Sequence, residues 1–257
     1  MSREQCKVFD FPLYYISFKR NLKLEKTFSK LGFKDINHFE AINGKKFTPL
    51  KLRSEGIITS RGYDDLIKGR NEWCGIPSLG MIGCTLSHAS LWKKCVDENI
   101  PYMVILEEDV ILKEKIDEKL CKLILDSVEK ENGMFIGAKV EKSKSPSFIG
   151  LQFYVVSNGA CKELTKGVFP IDVQTDCYVA ELDFLKKINM SGSAISVQSD
   201  HQSSIQTSCP KCNKDYLLLK SLNMRMFLLL LLFILFILFI VSIYYYKKFN
   251  HCKISKK

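Results

Sequence analysis

Residues 80–110 read GMIGCTLSHASLWKKCVDENIPYMVILEEDV. Leu86, Ala89, Trp92, Cys95 and Val96 recur at three- and four-residue spacing, which predicts a helix with one apolar face. The polar Asn99 and then Pro101 stop it. Residues 102–106 follow as a short apolar run, the pattern of a strand covered on both faces. Glu107, Glu108 and Asp109 close that strand before a second apolar run begins at Val110. Three adjacent carboxylates repel one another, and buried without partners they lose much solvation. A solvated surface turn accounts for them. So does a divalent-cation site, because hard cations take carboxylate oxygens and leave their other positions to water and phosphate. The surrounding residues have to decide between the two.

Working outward, residues 11–18, FPLYYISF, predict a first strand, with Lys19 and Arg20 directly after it. LKLEKTFSKLG predicts a helix stopped by Gly32, and residues 38–44 a second short strand closed by an Asn-Gly turn. Residues 45–80 are polar, with scattered Gly and Pro, and read as a long irregular segment. Beyond the acids, residues 115–130 predict a helix with Ile116, Leu120, Leu123, Ile124 and Val128 inward. Strands are expected at 134–137 and 150–157, then a helix at 159–166, then FPIDVQTDCY. Alternating strands and helices predict an α/β fold with a largely parallel sheet. In such sheets ligands bind outside the carboxyl ends of the strands, where the acids sit.

The net charge of +10 is unevenly distributed. Residues 211–257 carry nine Lys/Arg and one acid, whereas residues 1–210 hold 29 Lys/Arg against 27 Asp/Glu. The basic excess therefore flanks residues 226–246, MFLLLLLFILFILFIVSIYYY, and does not argue for nucleic acid. As a helix these 21 residues would be about 31 Å long, which predicts a C-terminal transmembrane helix. With no apolar leader at the N-terminus, the expectation is a tail anchor with the body in the cytosol. Ten scattered cysteines fit reduced thiols, and Cys209 and Cys212 form a lone CxxC short of ligands for zinc. The organisation expected is a body at 1–210, a basic linker at 211–225, the membrane helix at 226–246 and a basic tail at 247–257.

Gly80-x-x-Gly83-Cys84-x-x-Ser87-His88, then Trp92, then Ile105-Leu106-Glu107-Glu108-Asp109-Val110, resembles glycosyltransferase family 25. That family includes bacterial lipooligosaccharide glycosyltransferases and procollagen galactosyltransferases. Supporting matches are YYISFKRN in the first strand, Phe39-Glu40-Ala41-x-x-Gly44, Tyr154-Val155-Val156-Ser157-x-Gly159-Ala160, and Pro170-Ile171-Asp172 with Asp176. The resemblance covers about residues 13–206. Two departures stand out: Glu-Glu-Asp where the family has Glu-Asp-Asp, and Ser17 in a first strand that commonly reads I-N-L.

The resemblance implies a single GT-A-like, Rossmann-like domain that binds a nucleotide sugar, with UDP-galactose or UDP-glucose the expected donor. It implies a divalent metal, Mn²⁺ with Mg²⁺ as the alternative, and hexose transfer with inversion to a glycan or protein hydroxyl. Glu107 and Asp109 become metal ligands, with Glu108 a third contact on the donor side. Ser17, Lys19, Arg20, Gly83 and Ser87 are the other donor-binding candidates. Inversion needs a general base; Asp176 is the first candidate, Asp172 the second, and His88 joins them as a catalytic candidate. Each also has a plain structural role open to it: a helix cap for Asp176 or Ser87, a solvated cation for Lys19 or Arg20. An inactive sugar-binding or scaffolding relative and a metal-dependent nucleotidyltransferase are the competing functions.

Overall fold

The computed structural model describes residues 6–68, 74–113, 115–138 and 150–198. The chain divides into two compact units, Met1–Cys209 and Pro210–Lys257, and the second lies wholly outside the described residues. The first unit is built on a six-stranded mixed sheet. Its strands are β1 (Leu13–Ser17), β2 (Ile36–Glu40), β3 (Tyr102–Glu107), β5 (Gly133–Ile136), β6 (Phe153–Ser157) and β7 (Asn189–Gly192). Their order is β2-β1-β3-β6-β5-β7. β1 runs parallel to β2 and β3, β6 is antiparallel to β3 and β5, and β7 is parallel to β5. A short separate pair joins β4 (Val110–Leu112) to β8 (Ser196–Gln198).

Helices cover both faces, which explains why β3 is apolar and buried from Met103 to Leu106. Met103 and Ile105 point into a cluster with α4 (Leu79–Asp97), α6 (Asn158–Gly167) and α7 (Thr175–Phe184). Val104 and Leu106 point the other way, onto α1 (Leu22–Leu31) and α5 (Glu118–Val128). Each fully buried side chain of this kind contributes roughly 1.5–3 kcal/mol. The helices begin where their caps stand: Asn21 accepts from the Leu24 N–H, Ser78 from Met81 and Asp117 from Leu120. Gly32, at φ 114°, closes α1 in the left-handed conformation.

The sheet is mixed rather than largely parallel, because β6 runs antiparallel to both of its neighbours, and three further expectations need correction. Residues 45–80 contain two helices, α2 (Pro49–Ser54), capped by Thr48 with Pro49 in its first turn, and α3 (Ser60–Lys68). Their apolar residues are too sparse for a periodicity, yet Leu52, Ile58 and Ile76 bury against Met81, Ile82 and Ile171, so tertiary packing decides. The cysteines are not all reduced: Cys6 is bonded to Cys121 and Cys74 to Cys177. Pairs 115 and 103 residues apart follow no local spacing, so the chain order did not reveal them. Cys84, Cys95 and Cys161 are the free thiols among the described residues, and the Cys209/Cys212 pair lies outside them.

The third correction concerns the membrane. Among the described residues no helix is long and apolar enough to cross a bilayer, so the expected membrane anchor with a cytosolic body has no support there. The longest helix among the described residues, α4, has the length but carries Lys93, Lys94 and Asp97, and its apolar side chains pack inside the protein. Residues 226–246, on which the expected anchor rested, lie outside the described residues.

Candidate active site

The sheet changes direction of travel at β1. From there the chain passes by α1 to β2 on one side and reaches β3 on the other, so β1 and β3 flank a topological switch point. Ile16 pairs with Glu107 across these strands, which sets Ser17 and the acidic turn side by side at their carboxyl ends. Glu107 is the last residue of β3; Glu108 and Asp109 make the turn; Val110 starts β4 opposite Gln198. A cleft of about 1020 Å³ opens over this turn, and all three carboxylates line it.

The opposite wall is α4, brought unusually close to the loop after β2. A Cβ on Gly83 would stand 2.3 Å from the Ile42 carbonyl oxygen, and one on Gly44 would stand 1.7 Å from that of Leu79. Only glycine permits this approach. Ser87 fastens it: its Oγ accepts from the Ile42 N–H at 2.9 Å and donates to the Gly83 carbonyl at 2.7 Å. Its hydroxyl is thus committed to the scaffold, although the residue borders the cleft.

Behind the acids runs a buried polar chain. Trp92 Nε1 lies 2.9 Å from Tyr154 Oη, which lies 2.9 Å from His88 Nδ1; His88 Nε2 lies 3.2 Å from Glu107 Oε1. Gln198 Nε2 donates to Glu107 Oε2 at 3.2 Å, and the Cys84 thiol is 3.9 Å from Oε1. The Cys84, His88 and Glu107 ligand atoms all lie within 4.8 Å of one another.

Asp176, in the first turn of α7, accepts from the Gly150 N–H at 3.0 Å. Burial and then the charge of Glu107 raise its carboxyl to about 6. Desolvation also raises Glu108, against the opposing pull of His38. Burial pushes the Cys84 thiol well up, and Glu107 and Asp176 add to it. These mutual effects put Asp176 within electrostatic reach of Glu107 and Cys84.

The remaining candidates separate. Asp172 accepts from Thr59 Oγ1 and pairs with Arg61 at 3.5 Å; it lines a different hollow of about 410 Å³, with Thr85 and Tyr178. Ser17 borders the cleft, but its hydroxyl turns back to the Lys19 carbonyl at 2.7 Å. Arg20 is drawn to Glu25 at 2.8 Å, and Lys19 is exposed at the mouth of β1. Tyr154, Gln198 and Lys45 were not anticipated. Tyr154 faces Ile105 across an antiparallel pairing and Gln198 faces Val110 across another, and neither pairing is written in local sequence. The placement of Trp92 one helical turn after His88 was the one readable clue.

Residues 11–158 match the sequence profile of Glycosyltransferase family 25 (LPS biosynthesis protein). A Glycosyltransferase 25 family member of Anopheles gambiae is 35% identical over 92 residues, which are 36% of this chain and 14% of that protein. Procollagen galactosyltransferase 2 of Homo sapiens is 29% identical over 116 residues, 44% of this chain and 18% of the human protein. A Rattus norvegicus protein named probable inactive glycosyltransferase 25 family member 3 is 29% identical over 87 residues, 34% of this chain and 14% of the rat protein. The chain thus matches only a small part of each relative's length. The profile nevertheless takes in β1, the Gly44–Gly83 contact, α4, the acidic turn and β6 together, and on that match the chain belongs to glycosyltransferase family 25.

Proposed function

We propose that the chain is a hexosyltransferase. It takes a hexose from a nucleoside-diphosphate sugar, UDP-galactose or UDP-glucose, and transfers it with inversion to a glycan or protein hydroxyl. The observation that carries this reading is the acidic turn 107–109 at the carboxyl end of β3, lining the cleft at the switch point of the sheet.

The donor set there is carboxylate oxygen, which suits a hard divalent cation, Mn²⁺ or Mg²⁺. Glu107 and Asp109 would hold it, with Glu108 beside them at the exposed tip of the turn. Bound there, the cation supplies charge neutralisation for the diphosphate leaving group. The protein groups do the rest. Loop 42–45, clamped on α4 by the two glycines and Ser87, offers backbone and the Lys45 side chain to the cleft. Leu24, Phe28 and Leu112 give the far end an apolar lining that fits a base or sugar face. Asp176, raised to about 6, is the group best tuned to accept the acceptor hydroxyl's proton near neutral pH.

A second reading keeps sugar binding without turnover. It is favoured by the commitment of Asp172 and Arg20 to partners outside the cleft, and by the rat relative named probable inactive. Incubating the full chain with a panel of nucleotide sugars and Mn²⁺ separates the two. Slow UDP release supports transfer; saturable binding with no release supports the second reading.

A further inference from the structure

The chemistry of Trp92, Tyr154, His88 and Glu107 determines where each proton in their buried chain lies. An indole Nε1–H only donates, so Trp92 donates to Tyr154 Oη at 2.9 Å. With its oxygen already accepting, the Tyr154 hydroxyl directs its own proton to His88 Nδ1, also at 2.9 Å. On the other side of the ring, His88 Nε2 faces Glu107 Oε1, an acceptor when ionised, at 3.2 Å. A neutral imidazole between a donor at Nδ1 and an acceptor at Nε2 carries its proton on Nε2. Both ends of the chain give the same tautomer. We infer that Tyr154 and Trp92 are positioning residues for Glu107: they hold His88 in the Nε2–H form, which together with Gln198 aims one donor at each oxygen of that carboxylate. The inference rests on the reading of Glu107 as a cation ligand and adds which cations the cleft admits.

Cys84, His88 and Glu107 have the spacing of a zinc site, with the first two one helical turn apart on α4. A zinc ligand must present a ring lone pair, however, and here Nε2 presents a proton. Moving that proton to Nδ1 would aim two N–H donors at Tyr154 Oη, and among the described residues no second acceptor then faces the phenol proton. Leaving a buried donor without an acceptor is costly. The proton order therefore works against a borderline-soft ion at this trio and favours oxygen-bound hard cations at the turn.

The test uses the full chain with ¹⁵N-labelled histidine, the His88 signals being those lost in His88→Gln. Two-bond ¹H–¹⁵N spectra should show the Nε2–H tautomer, unchanged by Mg²⁺ and by equimolar Zn²⁺. An Nδ1–H ring, or conversion to one on adding Zn²⁺, would overturn the inference. Mn²⁺ alone is then titrated by calorimetry into wild type, Tyr154→Phe and two His88 variants, each checked for folding by its Tm. Tyr154→Phe and His88→Leu should weaken binding about tenfold. His88→Gln, which keeps a donor toward Glu107, should stay within about threefold. Equal affinity in all four refutes the positioning role. Should Tyr154→Phe fail to fold, the two His88 variants decide by themselves. Wild type that binds no Mn²⁺ fails the proposed reaction, and the spectra still decide the proton order.

Discussion

Gly83 and Gly44 meet backbone to backbone: a Cβ on Gly83 would lie 2.6 Å from the Gly44 nitrogen. No rotamer relieves such a contact, because the opposing atoms are main chain. Gly83→Ala must push α4 away from the loop after β2 and strain the Ser87–Ile42 hydrogen bond. A loss of about 2–4 kcal/mol is expected in urea denaturation, in the range of overpacked and disrupted core sites. An unchanged midpoint would show that the two segments do not touch in solution.

Asp109→Asn keeps the shape of the turn and removes one carboxylate from it. If the turn holds a hard cation, Mn²⁺-dependent UDP-hexose binding should weaken at least tenfold by calorimetry and turnover should drop by orders of magnitude. Glu108→Asp, at the exposed tip of the turn, should retain binding. A merely solvated turn predicts the reverse for Asp109→Asn: unchanged donor affinity and equal or slightly higher stability, since repulsion among three acids is relieved.

Asp176 makes the protein's stability fall as pH rises. Its folded-state value of about 6 lies above the ordinary carboxyl value, so between about pH 4 and 6 the folded chain holds a proton that the unfolded chain has released. The carboxyl costs nothing below that window and its full penalty, of order 1–3 kcal/mol, above it. Asp176→Asn should therefore match wild type near pH 4 and be the more stable at pH 8, while losing transfer activity. Denaturation curves at the two pH values, compared between the proteins, give the answer; parallel stabilities would mean that the carboxyl is not raised.

Cys6 and Cys121 tie the segment before β1 to α5 across 115 residues of chain. Closing so long a loop restricts the unfolded chain by about 4–5 kcal/mol in the chain-entropy account. Peptide mapping without reductant should recover Cys6 joined to Cys121 and Cys74 joined to Cys177. Cys6→Ser with Cys121→Ser should lower the urea midpoint, corresponding to a loss of about 2–5 kcal/mol in stability. Free thiols at these four positions in the folded protein would refute the pairing.

The sequence by itself determined the elements whose periodicity or caps are local: β1, α1, α4, β3, α5 and the helix after β6, together with the acidic turn at a strand end. It also carried the family, because the spacing from Gly80 to Val110 follows from one helix feeding one strand. Only the tertiary structure decided which neighbours those elements acquire. Tyr154 reaches His88 because β6 pairs antiparallel with β3, and Gln198 reaches Glu107 because β8 pairs with β4. Asp176 approaches the acids while Asp172, four residues earlier, is held by Thr59 and Arg61 in another hollow. Burial, strand register and charge coupling between residues tens of positions apart are properties of the packed chain, and local spacing does not encode them.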